Sequence, residues 1–325
     1  MVNIPDLLNL PRLKDDLASL ETALQKSVAS DDPFLTQVAG HLIGAGGKRL
    51  RPALTVTAAA AGGVEAIPDV VSGGVAVELV HLGSLYHDDV MDEGTSRRGV
   101  ETVNARWGNL VAILAGDFLL ARASEIAASL GTEVAGLLAA TIARLCEGQV
   151  GELRTAFDVG RSQEAYLASI AGKTASLMSA SCRIGGLTAG LDRAHVDALT
   201  VYGQAFGMVF QIRDDILDVV STDHSLGKPA GQDLVQGTYT LPVIFALAQP
   251  EAGDELRGLL GKPLDAPERD KAREIVRSNG AIAAAAAVAA SYAEQAADAA
   301  AGFPKGPVAD AMATLGHRLL DDLTP

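Results

Sequence analysis

A chain of 325 residues, 48% of them hydrophobic, can bury a sizeable core. Its formal charge of −14, from 26 Lys and Arg against 40 Asp and Glu, argues against a nucleic-acid partner, which rewards a basic surface. The two cysteines, Cys146 and Cys182, are too few for a disulfide framework and lack metal-ligand spacing, so a reduced cytoplasmic setting is expected.

The N-terminal MVNIPDLLNLPRLKDDL has neither the basic start nor the unbroken apolar stretch of a secretory signal, which again predicts a cytoplasmic location. From there on, almost every segment between Gly and Pro punctuation is rich in Ala and Leu with apolar residues three and four apart. That is the helical period, and no run of alternating strands competes with it. The spacing predicts helices over 10–29, 33–43, 52–61, 68–93, 107–130, 132–157, 163–186, 192–220, 239–248, 266–278, 281–301 and 307–322. Asp32-Pro33 and Ser162-Gln163-Glu164 are starts; Gly62-Gly63, Gly131 and Gly280 are stops. The stretch 281–301 is mostly alanine but carries Tyr292, Glu294, Gln295 and Asp298, so it predicts a water-soluble helix and no membrane span. No composition break divides the chain. The expected fold is therefore all-α, one domain over 1–325 with long helices around a central cavity. The polar, glycine-containing stretch 221–238 is the exception and is a candidate active-site lid.

The chemistry-bearing residues follow the same order. Gly46-Gly47-Lys48-Arg49-Leu50-Arg51-Pro52 is a loop whose glycines allow close backbone approach and whose cations suit an anion. His81 lies two helical turns before Asp88, on nearly the same face. His87-Asp88-Asp89-Val90-Met91-Asp92 ends an apolar helix, with Asp88 and Asp92 sharing a face. Arg97-Arg98-Gly99 follows, where guanidinium groups would reach phosphate oxygens. Lys173-Thr174 comes next, then Gln211. Asp214-Asp215-Ile216-Leu217-Asp218 repeats the acidic pattern at a second helix end, and Lys228 lies in the candidate lid. Carboxylates clustered in this way repel one another unless a cation is present. Mg²⁺, which takes one or two carboxylates and fills its shell with water and substrate phosphates, resolves the conflict, so two facing helix ends of this kind would grip a diphosphate. The metal candidates are Asp88, Asp89, Asp92, Asp214, Asp215 and Asp218.

Seven segments in order, GGKRLRP, ELVHLGSLYHDDVMD, the Arg97-Arg98-Gly99 turn, GKTASL, FQIRDDILD, GKPAGQDL and TLP, make the chain resemble the trans-isoprenyl diphosphate synthases, the polyprenyl synthetase family. The resemblance implies a helical isoprenoid-synthase fold, a homodimer and three Mg²⁺ ions held between the acidic motifs. Direct metal ligation falls first to Asp88, Asp92 and, in the second motif, Asp214, and then to Asp89. It also implies that an allylic diphosphate is held by those metals and by Arg97, Lys173, Thr174, Gln211 and Lys228. Isopentenyl diphosphate would sit, without metal, on Lys48, Arg51, His81 and Arg98. Ionisation of the allylic diphosphate would be electrostatic catalysis, with no side-chain nucleophile. One turn before Asp88 stand Gly83 and Ser84, where short-chain members carry a bulky residue, and Val80, Val77 and Ala76 continue the face. About 24 Å of helix, at about 1.5 Å per residue, would wall an apolar tunnel, and the expected product is a long all-trans chain of about seven to ten isoprene units. Transient membrane contact would then assist its release. The alternatives are a short-chain farnesyl or geranylgeranyl diphosphate synthase, a class I terpene cyclase and a non-catalytic partner subunit. A cyclase usually lines its cavity with aromatic residues, which make up only 4% here, and a non-catalytic subunit usually loses its acidic motifs.

Overall fold

Side-chain caps and prolines set where the helices begin. Asp32 accepts the Phe34 amide at 2.8 Å ahead of Pro33, Ser162 accepts the Ala165 amide at 3.1 Å, and Asp192 accepts the His195 amide at 3.0 Å. Each satisfies a donor that the first helical turn leaves unpaired. The computed structural model describes residues 7, 8, 10, 12–221 and 230–323. In chain order its helices are α1 (Leu13–Ser27), α2 (Pro33–Ala39), α3 (His41–Gly44), α4 (Leu50–Ala61), α5 (Pro68–Met91), α6 (Val103–Trp107), α7 (Asn109–Ser129), α8 (Thr132–Arg154), α9 (Gln163–Ile170), α10 (Ser176–Thr188), α11 (Arg193–Val220), α12 (Gln232–Val235), α13 (Leu241–Leu247), α14 (Pro250–Arg257), α15 (Ala266–Arg277), α16 (Ala281–Ala300) and α17 (Pro307–Leu320).

Among the described residues the fold is all-helical, as the periodicity predicts, apart from one hairpin pairing Ser96 with Glu101 and Arg97 with Val100. Its turn residues Arg98 and Gly99 both have positive φ, 54° and 77°, the tight turn that matches strand twist. Two residues a strand are too short to leave an alternating pattern in the sequence. Three short helices, α6, α12 and α14, also lie outside the predicted set. Between α9 and α10 the rod widens into a π-turn, Ala171–Ala175, a distortion frequent at functional sites.

α5 and α11 are the central rods. α5 is apolar nearly all round and packs on α1, α4, α7 and α10. Glycines let its neighbours approach. A Cβ on Gly83 would stand 3.0 Å from the Gly116 carbonyl, and one on Gly116 only 2.3 Å from His87 Nε2. α11 packs on α10 and α16, and α16 buries Ala281, Ala285, Ala289, Ala293, Ala296 and Ala300, a stripe at helical spacing. Among the described residues no helix is long and apolar enough to cross a membrane. The expected lid falls partly on residues 222–229, which lie outside the described residues, as does Lys228. Its later part is held down, with Ala230 and Leu234 buried and the Gly231 amide donating to the Asp218 carbonyl at 2.8 Å.

Candidate active site

Both acidic motifs occupy C-terminal helix ends, where the backbone dipole is already negative, so nearby cations are favoured. On α5, Asp88 and Asp92 make no side-chain hydrogen bond among the described residues. Burial, opposed by Lys173 and reinforced by each other's charge or by Glu152, raises both carboxyls above the usual range. Asp89 takes a protein partner. One residue further round the helix, it is 3% exposed, and Arg97 Nε donates to its Oδ1 at 2.7 Å. The same bond takes Arg97, expected at the allylic diphosphate, into an ion pair with the motif itself.

The second motif divides in the same way. Asp214 is half-exposed, with Arg213 Nη1 3.3 Å away. Asp215 turns inward, and Tyr166 Oη donates to its Oδ2 at 2.6 Å while Gln211 Nε2 donates to its Oδ1 at 2.7 Å. Gln211 Oε1 in turn accepts from Thr174 Oγ1 at 2.7 Å, so the π-turn and the motif are joined by one chain of hydrogen bonds. Burial, with Asp214 and Glu152 nearby, lifts Asp215 to about 7 despite the two donors. Asp218, 4% exposed, accepts the Asp233 amide at 3.2 Å. Among the described residues Asp89, Asp215 and Asp218 thus each accept from a protein donor, whereas Asp88 and Asp92 do not. The cause is the helical period, which gives adjacent carboxylates different faces.

Glu152, at the C-terminal end of α8, has no place in the sequence expectations. It accepts from Lys173 Nζ at 2.5 Å. Its charge bears on Asp88, Asp92 and Asp215, so both acidic helix ends lie within electrostatic reach of the Lys173–Glu152 pair. Burial opposes the Lys173 charge, but Glu152, Asp88 and Asp92 outweigh it and raise its pKa. Gly148 makes the approach possible, since a Cβ there would stand 2.3 Å from the Lys173 amide nitrogen. A signal was present, because Glu152 lies one turn beyond Gly148 on the same face while Glu147 faces solvent.

The basic loop has positive φ at Gly46, Gly47 and Arg49. Lys48 is within electrostatic reach of Asp214, although burial lowers its pKa. Arg51 is pushed down to about 10 by burial, and its Nε is enclosed without a hydrogen-bond partner. Burial and then the charges of Arg51, Arg98, Arg97 and Arg49 hold His81 well below the usual imidazole range. Three under-paired cationic or neutral donors, Arg51, Arg98 and His81, therefore stand together beside α5 and suit an anion.

Of the chain-length residues, Val80 is fully buried and Ser84 is half-buried, its Oγ bonded to the His81 carbonyl at 2.9 Å. Gly83 faces α7, against Gly116 and Leu120, and not open space. Tyr86 turns away, its hydroxyl donating to the Val38 carbonyl at 2.7 Å.

The oxygen donors of Asp88, Asp92 and Asp214 are hard ligands of the kind that Mg²⁺ or Ca²⁺ takes. Among the described residues no three His, Cys, Asp or Glu side chains are grouped closely enough to hold an ion alone, so water or substrate oxygens would complete its shell.

The model of the polyprenyl synthetase family matches residues 32–278. A nonaprenyl diphosphate synthase from Mycobacterium tuberculosis is 39% identical over 318 residues, covering 97% of this chain and 94% of that relative. The crystal structure of a decaprenyl diphosphate synthase from Rhodobacter capsulatus superposes with a TM-score of 0.89 at 33% identity, covering 96% of this chain and 98% of that one. A geranylgeranyl pyrophosphate synthase from Corynebacterium glutamicum, complexed with calcium and isoprenyl diphosphate, superposes with a TM-score of 0.85 at 36% identity, covering 98% and 99%. Helical architecture, two acidic helix ends within reach of one Lys173–Glu152 pair and a match over most of the chain agree: the protein belongs to the polyprenyl synthetase family and is a metal-dependent prenyltransferase.

Proposed function

We propose that the enzyme condenses isopentenyl diphosphate with an allylic diphosphate, using Mg²⁺, to give a long-chain all-trans polyprenyl diphosphate. The observation that carries this is the Lys173–Glu152 pair, whose charges reach both acidic helix ends. Asp88, Asp92 and Asp214 are the side chains that would hold the ions, three by family expectation. The metal supplies Lewis-acid charge that stabilises the departing diphosphate. Lys173 and Thr174 orient that diphosphate from the π-turn, with Gln211 fixed beside them. Lys48, Arg51, Arg98 and His81 hold the second diphosphate without metal. The long product is favoured by the nonaprenyl-synthase relative and by Ser84, a small residue one turn before Asp88.

A homodimer accounts for a second feature. Leu110, Ile113 and Leu114 on α7 and Val150 and Leu153 on α8 are exposed, Leu110 by 79% and Leu114 by 66%, an apolar area that a solvated monomer rarely displays. Sedimentation equilibrium giving a monomer would exclude this assembly.

The activity test is incubation of the purified chain with Mg²⁺, labelled isopentenyl diphosphate and allylic primers of increasing length, with the products sized by chromatography. A series of long polyprenyl diphosphates is expected. A diphosphate-free hydrocarbon from the primer alone would instead indicate a cyclase, and a C15 or C20 end product a short-chain synthase. No turnover without an added protein would indicate a subunit that depends on a partner.

A further inference from the structure

The cations around residues 46–51 are not equivalent. Lys48 is exposed towards Asp214, and Arg51 has a buried nitrogen without a partner. Arg98 leans on the Leu42 and Gly46 carbonyls. Arg49 alone uses every donor nitrogen. Its Nε and Nη2 form a side-on pair with Glu21 at 2.6 and 2.9 Å, Nη1 reaches Glu78 at 3.1 Å, and Nη2 also reaches the Ile43 carbonyl at 3.2 Å. Its backbone is left-handed, with φ 46°, a conformation that a residue with a Cβ keeps only when its surroundings impose it.

The loop is built around that guanidinium. A Cβ on Gly47 would stand 2.7 Å from Arg98 Nη1 and 2.9 Å from Arg49 Nη1, so both side chains lie against the loop backbone. Glu78 is a single buried carboxylate whose charge is shared among Arg49, Arg51 and Arg98. Glu21 gives Arg49 a carboxylate of its own, which leaves Arg51 and Arg98 poised for another anion. Without Glu21, Arg49 would compete with both for Glu78 and draw them out of position.

We propose that Glu21, on the N-terminal helix α1, is a positioning residue for isopentenyl diphosphate, acting through Arg49 on the loop that carries Lys48 and Arg51. This rests on the assignment of that loop to the second diphosphate. Glu21 lies ahead of the residues that the family model matches and belongs to no motif.

The test is steady-state kinetics on the full chain, varying each substrate with the other saturating, for Glu21→Gln, Arg49→Lys and the double variant. The glutamine is isosteric and the Glu21 side chain is 32% exposed, so folding should survive. Loss of a bidentate charged pair is expected to raise KM for isopentenyl diphosphate about fivefold in Glu21→Gln. KM for the allylic substrate, kcat and the melting temperature should stay close to wild type. The double variant should be no worse than Arg49→Lys, because both substitutions break one connection. An unchanged KM for isopentenyl diphosphate in Glu21→Gln, an equal rise for both substrates, or additive losses in the double variant would each overturn the proposal. A wild-type enzyme that fails to incorporate isopentenyl diphosphate would overturn the proposed function instead.

Discussion

Tyr166 and Asp215, 49 residues apart, are joined by a 2.6 Å hydrogen bond that holds the buried middle carboxylate of the second acidic motif. The bond continues through Gln211 to Thr174, so the phenol helps decide where the π-turn presents its side chains.

Tyr166→Phe removes that donor and leaves a buried carboxylate oxygen unpaired. A stability loss of about 1–3 kcal/mol follows from the desolvation involved. Turnover should fall more steeply with the allylic substrate than with isopentenyl diphosphate. Urea titration together with substrate-varied kinetics checks both, and equal changes for the two substrates would refute a link to the allylic side.

Asp88 and Asp92 carry raised pKa values, so their ionisation opposes folding as pH rises through the raised values. Replacing Asp88 with Asn should therefore raise the melting temperature of metal-free protein at neutral pH while cutting kcat by about a hundredfold or more, the scale for losing a group that stabilises developing charge. The melting shift produced by Mg²⁺ with pyrophosphate should shrink as well. Calorimetry with and without those ligands measures this, and an Asn variant less stable than wild type in metal-free buffer contradicts the charge argument.

His81 has the opposite sign. Its depressed pKa means that the unfolded chain takes a proton first, so its contribution to stability is full above about pH 6.5 and declines as pH falls towards the folded-state value. His81→Gln removes this contribution. Melting curves at pH 5, 6 and 7.5 should show a smaller acid loss in the variant, and parallel curves would count against a neutral His81.

Ser84→Phe and Gly83→Phe should behave differently, although they are neighbours. Ser84 is half-buried, and phenylalanine there should shorten the main product with modest change in turnover. Gly83 abuts Gly116 and Leu120, so a large side chain must separate α5 from α7, at a cost of at least about 1–3 kcal/mol for overpacking. Product chromatography and thermal melts separate the two effects. An unaltered chain length in Ser84→Phe would remove Ser84 from the tunnel wall.

The sequence by itself determined the helical architecture and the shared face of Asp88 and Asp92, because both are set by a repeat of 3.6 residues that needs no partner. Composition also predicted that the alanine-rich α16 does not span a membrane, and among the described residues no helix is long and apolar enough to cross one. Only the tertiary structure decided which aspartate of each pair is occupied by protein, since Arg97 is eight residues from Asp89 and Tyr166 is 49 from Asp215. The same holds for Glu152 beneath Lys173 and Glu21 on Arg49, 21 and 28 residues away. A carboxylate's role depends on the charge that reaches it, and in a helical fold that charge arrives from another helix, whose direction no local pattern records.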